Sequence, residues 1–172
     1  MLDLARPRCP TAEFMLAHME RLPLVPPMDV AICCFDAVNY LLTESDWRSF
    51  FAGVRRGLRK GAVFVFDMLP EQSLPRDWPQ YREVLRCERG VVASVGSFDS
   101  ETGIATTRDL IFIGEGDLYR CFEEVHRQTS FPLRRVRAWL RRSGFSVDAV
   151  LDEWGGAPHA RSVRLLLACR AE

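Results

Sequence analysis

Two continuous apolar runs of strand length, residues 29–34 and 62–66, flank one amphipathic helical segment, and this pattern most constrains the fold. A strand-length run without alternation is typical of a strand that is buried on both faces. Between the runs, residues 43–58 place apolar side chains at helical spacing, with Thr43 as the predicted N-cap and Lys60-Gly61 as the predicted end. A strand, a helix and a strand in this order predict two parallel neighbouring strands joined by a right-handed crossover.

The segments on both sides of this unit predict further strands and one more helix. Short strand-like segments separated by turn residues follow the second apolar run, and they predict an antiparallel meander. The predicted elements are a short strand at 13–17, meander strands at 83–89, 91–98, 104–113 and 117–129, a helix from Pro132 to Gly144, and closing strands at 145–151 and 163–169.

Charge and composition exclude several classes of partner. The 172 residues include 23 basic and 23 acidic side chains, so the formal net charge is zero and neither nucleic acid nor an anionic membrane is expected as a partner. No apolar run approaches the roughly 20 residues of a membrane span. The six cysteines form no Cys-x-x-Cys pair, which argues against a metal site and fits free thiols in a reducing, cytoplasmic environment.

Four segments, taken in order, resemble class I S-adenosylmethionine (SAM)-dependent methyltransferases. Residues 29–41 resemble the fourth strand and its following Asp-x-x-Asn-Tyr-Leu loop, here Asp36 to Leu41. Residues 57–67, Gly-Leu-Arg-Lys-Gly-Ala-Val-Phe-Val-Phe-Asp, resemble the start of the fifth strand and are the most specific match. Residues 139–145 resemble the segment that leads into the sixth strand, and residues 164–169 resemble the seventh strand. The resemblance spans about the whole chain.

This resemblance implies an α/β fold with an incomplete Rossmann-like sheet. Strands 4-5-7-6 of the family sheet would be present, plus a short strand 3 at 13–17. An antiparallel β-meander at about 80–130 would be inserted within a single domain, 1–172. The family's first two strands and its Gly-x-Gly loop would precede Met1, and no glycine occurs before Gly53. The resemblance therefore implies an N-terminally truncated methyltransferase chain that lacks half of the cofactor site, which leaves open whether the chain catalyses by itself.

The resemblance also assigns candidate site residues, because the cofactor cleft of such sheets lies at the carboxyl ends of the strands. For each candidate the sequence leaves open a purely structural role in a loop, in packing or on a solvated strand face. His126 is the candidate general base, since an imidazole titrates near physiological pH. The candidates for cofactor binding are His18, Met19, Phe35 and Asp36, and those for substrate binding are Asn39, Tyr40, Asp67 and Glu124.

The function implied is SAM-dependent methyl transfer to a small-molecule acceptor, with the acceptor atom left open. One alternative is a catalytically degenerate methyltransferase-like partner or dimerisation module, and another is an unrelated ligand-binding α+β domain. Without the first two family strands, the strand at 29–34 would expose an apolar edge, which favours pairing with another chain. We expect either that the 13–17 strand moves beside this edge or that a second copy covers it in a homodimer.

Overall fold

The computed structural model describes residues 1–172 and contains two four-stranded sheets. The helices, apart from short 3-10 turns, are α1 (Leu2–Ala5), α2 (Glu44–Arg56), α3 (Ser73–Asp77) and α4 (Leu133–Arg142). The strands are β1 (Met28–Cys33), β2 (Leu58–Met68), β3 (Arg82–Cys87), β4 (Gly90–Asp99), β5 (Ile104–Glu115), β6 (Leu118–Gln128), β7 (Phe145–Asp152) and β8 (Leu165–Ala171).

The first sheet has the order β1-β2-β8-β7. Strands β1 and β2 are parallel neighbours connected through α2, as the two apolar runs predict. Strand β8 lies antiparallel between β2 and β7. This arrangement is the 4-5-7-6 order that the resemblance implies. Because β8 runs against β2, the start of β8 lies at the same sheet edge as the carboxyl ends of β1 and β2, where Met68 pairs with Leu165.

Helix α2 begins as the sequence predicts and ends earlier than it predicts. The hydroxyl of Thr43 accepts a hydrogen bond from the Asp46 N–H at 3.2 Å, which confirms the N-cap. The helix ends at Arg56, so the predicted end at Lys60-Gly61 is wrong: these residues lie in β2. Gly61 has φ +82° there, and the β1–β2 register shifts between Met28 and Val30. The positive φ of Gly61 therefore accommodates the irregularity in the β1–β2 pairing, and Gly61 does not cap a helix.

One core fixes the helices on the first sheet. It holds 19 buried apolar residues, to which α2, α4 and all strands of this sheet except β1 contribute buried members. The rings of Trp47, Phe51 and Phe64 are fully buried, and Phe64 stacks on Phe66 with ring centroids 4.9 Å apart. Burying large aromatic surface is the main stabilising contribution available to a sheet covered by two helices.

The second sheet is the antiparallel meander β3-β4-β5-β6, which confirms the prediction for this part of the chain. It follows β2 and α3 in sequence and precedes α4. The turn between β4 and β5 needs the positive φ of Gly103, +70°. Division of the chain into one domain with an insertion at 80–130 stays a prediction.

The predicted strand at 13–17 is wrong, because residues 13–18 have no regular secondary structure. Leu16 is 90% exposed, and although Glu13, Met15 and Ala17 line the same groove as β1, no hydrogen-bonded ladder joins this segment to that strand. A strand-like pattern becomes a strand only where backbone groups find a ladder partner. The segment therefore does not pair with β1, and the outer edge of β1 carries no strand. None of the helices has the length and apolar character needed to cross a membrane.

Candidate active site

The chain makes an unusual turn where β1 ends. Phe35 and Asp36 are the only non-glycine residues with positive φ, at 61° and 47°. Side chains disfavour this left-handed region, so such residues occur where surrounding contacts hold them, and they concentrate at functional sites. The ring of Phe35 is 85% exposed beside the carboxyl ends of β1 and β2. The turn therefore marks the point at which a ligand site is expected.

Asp36 is bound from three directions. Its N–H donates to Asp67 Oδ1 at 2.9 Å, Arg164 donates to its Oδ1 at 2.8 Å, and Gln128 Nε2 donates to its Oδ2 at 2.5 Å. Arg164 also donates to Asp67 Oδ2. Burial of Arg164 acts to lower its pKa, but hydrogen bonds to Asp67 and Asp36 outweigh it and hold the pKa above its ordinary value. Two carboxylates and one guanidinium leave one net negative charge here.

Asn39, predicted to contact the acceptor, is fully buried. Its amide oxygen accepts from the Leu69 N–H at 2.9 Å, and its amide nitrogen donates to the Thr129 carbonyl at 2.7 Å. These bonds tie the turn after β1 to the segments that follow β2 and β6. The side chain has no free surface, and its role in this structure is to position the chain around the cleft.

His126 lies beside this turn and contacts polar groups through both ring nitrogens. Its Nδ1 is 3.2 Å from the Tyr40 hydroxyl, and the two rings meet edge to face with centroids 5.9 Å apart. Its Nε2 is 3.4 Å from Asp109 Oδ2 and 3.5 Å from Glu124 Oε2. Three of the predicted residues, Tyr40, Glu124 and His126, are therefore brought together, although Tyr40 lies far in sequence from the strand β6 that carries the other two.

Asp109 is a member of this cluster that the sequence did not single out. Asp109 lies directly opposite Glu124 in the β5–β6 ladder, and its Oδ1 is the one buried side-chain oxygen or nitrogen without a hydrogen-bond partner. Burial raises the pKa of Tyr40, and the charges of Asp36, Asp109 and Glu124 raise it further. The strand alternation of 104–113 was visible in the sequence, but the partner of Asp109 depends on the sheet register.

The remaining predicted residues differ in their placement. Asp67 is a member of the Asp36–Arg164 network, with 11% of its side chain exposed. The side chain of His18 is 84% exposed and lies 3.7 Å from Glu20, so no contact joins it to the cluster. Met19 packs against the core of the first sheet. A cofactor contact by His18 or Met19 stays a prediction.

The sheet order, the crossover through α2 and the turn at the carboxyl end of β1 together define a class of protein: the chain has the class I methyltransferase fold. No protein-family model matches the sequence. YqeM of Bacillus subtilis (strain 168), provisionally named a methyltransferase, is 27% identical over 139 residues, which are 80% of this chain and 56% of YqeM.

Two solved structures match nearly the whole chain. A SAM-dependent methyltransferase from Clostridium acetobutylicum ATCC 824 has a TM-score of 0.89 at 16% identity, over 99% of this chain and 70% of that one. SAM-bound CalS10, an amino pentose methyltransferase from Micromonospora echinaspora, has a TM-score of 0.76 at 23% identity over the same shares. The chain thus spans about half the length of the curated relative YqeM and 70% of these solved chains.

Proposed function

We propose that this chain takes part in SAM-dependent methyl transfer to a small-molecule acceptor. One observation carries the proposal: a left-handed turn at the end of a parallel strand adjoins a cluster of His126, Tyr40, Asp109 and Glu124. Ligands of open α/β sheets bind at the carboxyl ends of the strands, which is where this turn lies. The cluster supplies groups that bind an acceptor and take a proton from it.

The residues after β1 suit one side of a SAM site. The exposed ring of Phe35 offers a surface on which a nucleoside base can stack, and the carboxylates of Asp36 and Asp67 outnumber their arginine partner by one charge. A net negative charge attracts a sulfonium cation. SAM, when bound, supplies an activated methyl group. Residues 1–52 contain no glycine, so a close backbone approach of the Gly-x-Gly type is not available from them.

For the acceptor we propose an amine, held near Tyr40 and Glu124 with His126 as general base. Two observations support this class: Asp109 and Glu124 flank the imidazole, and the structurally similar CalS10 is an amino pentose methyltransferase. The two carboxylates would attract a cationic amine. Tyr40 contacts the ring at Nδ1, so the nitrogen that exchanges a proton with the acceptor would be Nε2, which lies beside Asp109 and Glu124. Asn39 and Asp67 act through the segments that they hold.

Calorimetry of the 172-residue chain with SAM tests the first part of the proposal, with S-adenosylhomocysteine and ATP for comparison. Micromolar binding of SAM supports the proposal, and the absence of binding removes it for the chain as it stands. Transfer of labelled methyl from SAM to simple amino sugars tests the second part.

The variant His126→Asn tests the base. We expect about a hundredfold or greater loss of kcat with unchanged SAM affinity, the range typical of a lost general base. His159→Ala, in the loop between β7 and β8, is the matched control. Equal kcat values for His126→Asn and the unmodified chain would remove His126 from this role.

The second candidate is an interaction module, and the edge of β1 favours it. Met28, Val30 and Ile32 are 46%, 55% and 68% exposed, and they border a largely apolar groove of about 490 Å³. An unpaired apolar strand edge is a template for another strand. Under this alternative the chain forms a homodimer through β1 and does not bind SAM, so the calorimetry above separates the two functions.

A further inference from the structure

We propose that Arg164 is the positioning residue of the cleft: it holds the left-handed Phe35–Asp36 turn and, together with Gln128, joins the second sheet to the first. The inference goes beyond the proposed function, because its main step concerns a turn that exists without any ligand. Only its consequence for SAM rests on the proposed function.

The first step is that the turn needs contacts with other segments to keep its backbone conformation. Two consecutive residues with side chains adopt positive φ, where the Cβ approaches the neighbouring carbonyl group. Neither residue belongs to a strand or helix ladder, and Phe35 is too exposed for packing to hold it. The hydrogen bonds that other segments make to the turn through side chains all involve Asp36, so the conformation of the turn depends on them.

The second step is the geometry of Arg164. Its guanidinium reaches Asp36 with one terminal nitrogen and Asp67 with the other, while the Asp36 N–H closes the ring onto Asp67. A planar guanidinium can serve two carboxylates at once in a fixed fork, whereas a lysine ammonium lacks this geometry. Arg164 is itself held by the preceding loop, since Glu153 Oε2 accepts from its N–H at 3.4 Å.

The third step links the second sheet. Gln128 is the last residue of β6, is buried, and donates to the Asp36 oxygen that Arg164 leaves free. His126 lies two positions earlier on the same strand and faces the same side. The pair Gln128–Asp36, whose carboxylate Arg164 orients, therefore fixes the position of His126 relative to the turn together with the hydrogen bonds between Asn39 and Thr129.

Backbone amide exchange, measured by NMR without ligand, tests the positioning role. In Arg164→Gln we expect the Asp36 amide, which donates to Asp67, to exchange at least about tenfold faster. Local opening of the turn costs less free energy in this variant, because there are no arginine hydrogen bonds to break. The Phe64 amide in β2 reports the global stability. Arg161→Gln, an exposed arginine whose side chain has no hydrogen-bond or ion-pair partner, is the control.

Arg164→Lys separates this role from simple charge. We expect it to restore less than half of the lost protection, because the ammonium cannot bridge both carboxylates. A folded Arg164→Gln protein with Asp36 exchange within twofold of the unmodified chain would overturn the proposal. If Arg164→Gln does not fold, Arg164→Lys decides: unmodified protection of the Asp36 amide in that variant overturns it.

The consequence for the cofactor is measured separately. Arg164→Gln leaves two carboxylates without their cation, so the ratio of the dissociation constants for neutral S-adenosylhomocysteine and cationic SAM should rise, while both ligands bind more weakly than to the unmodified chain. If the unmodified chain binds neither ligand, the proposed function fails while the exchange result still decides the role of Arg164.

Discussion

At the scale of single residues, Asn39 shows how a buried amide can organise a cleft without facing it. It bonds the backbone of two segments that are distant in sequence from it and from each other. We expect Asn39→Ala to lower the free energy of unfolding by about 3 kcal/mol, since two hydrogen bonds are lost and their backbone partners stay buried. Urea denaturation measures this value. Gln72→Ala, at an exposed position, should stay within about 0.5 kcal/mol, and a loss below about 1 kcal/mol for Asn39→Ala would contradict the assignment.

A second prediction for single residues concerns a phenol directly before β3 of the second sheet. The hydroxyl of Tyr81 donates to Glu83 Oε2 at 2.6 Å, and this bond is the main cause that raises the pKa of Tyr81 to about 12. The folded pKa exceeds the unfolded value of about 10, so the contribution to stability is complete below pH 10 and is lost as the pH rises toward 12.

Glu83→Gln should therefore move the pKa of Tyr81 back toward 10, because a neutral amide oxygen accepts a weaker hydrogen bond than the carboxylate and because the charge that opposes the phenolate is gone. Spectroscopic titration of the tyrosines measures the shift, and Tyr81→Phe identifies the signal. A titration curve unchanged by Glu83→Gln would refute the role of this hydrogen bond.

At the scale of elements, β1 is the strand whose environment is least complete. One side pairs with β2, while its other side has free backbone groups and exposed apolar side chains. If the chain self-associates through this edge, Ile32→Lys should weaken the dimer at least about tenfold in sedimentation equilibrium, because a charge would be buried at the interface. Leu118→Lys, at the exposed start of β6, is the control for added charge. A wild-type chain that is monomeric at every concentration tested would contradict the homodimer.

At the scale of the whole molecule, the two sheets differ in how they are stabilised. The first sheet contributes most members of the 19-residue core, whereas all of β3 and most of β6 are exposed. Few buried contacts lower the free energy of local opening. We expect amides of β3 and of the first half of β6 to exchange before those of β2 and β8. Hydrogen exchange with mass spectrometry checks the order, and simultaneous exchange of both sheets would show one cooperative unit instead.

Much of the architecture could be predicted because it is encoded in local patterns. The two apolar runs and the helix between them specified β1, α2 and β2, and the alternation with turn residues specified the meander. The same alternation placed Glu124, His126 and Gln128 on one face of β6. In each case a pattern over a few residues, either an unbroken apolar run or a periodicity, specifies the element, and no distant contact is needed to interpret it.

The sequence by itself thus determined most of the elements and their order, and it singled out most of the residues that the structure places around the turn after β1. Only the tertiary structure decided that 13–17 is not a strand, that Lys60-Gly61 lies in β2, and that Arg164 meets Asp36 across 128 positions of the chain. It also decided that Asp109 joins His126, because that contact depends on the register of β5 against β6. The physical reason is common to all four: backbone and side-chain bonds between distant segments choose among local conformations that the sequence pattern leaves equally acceptable.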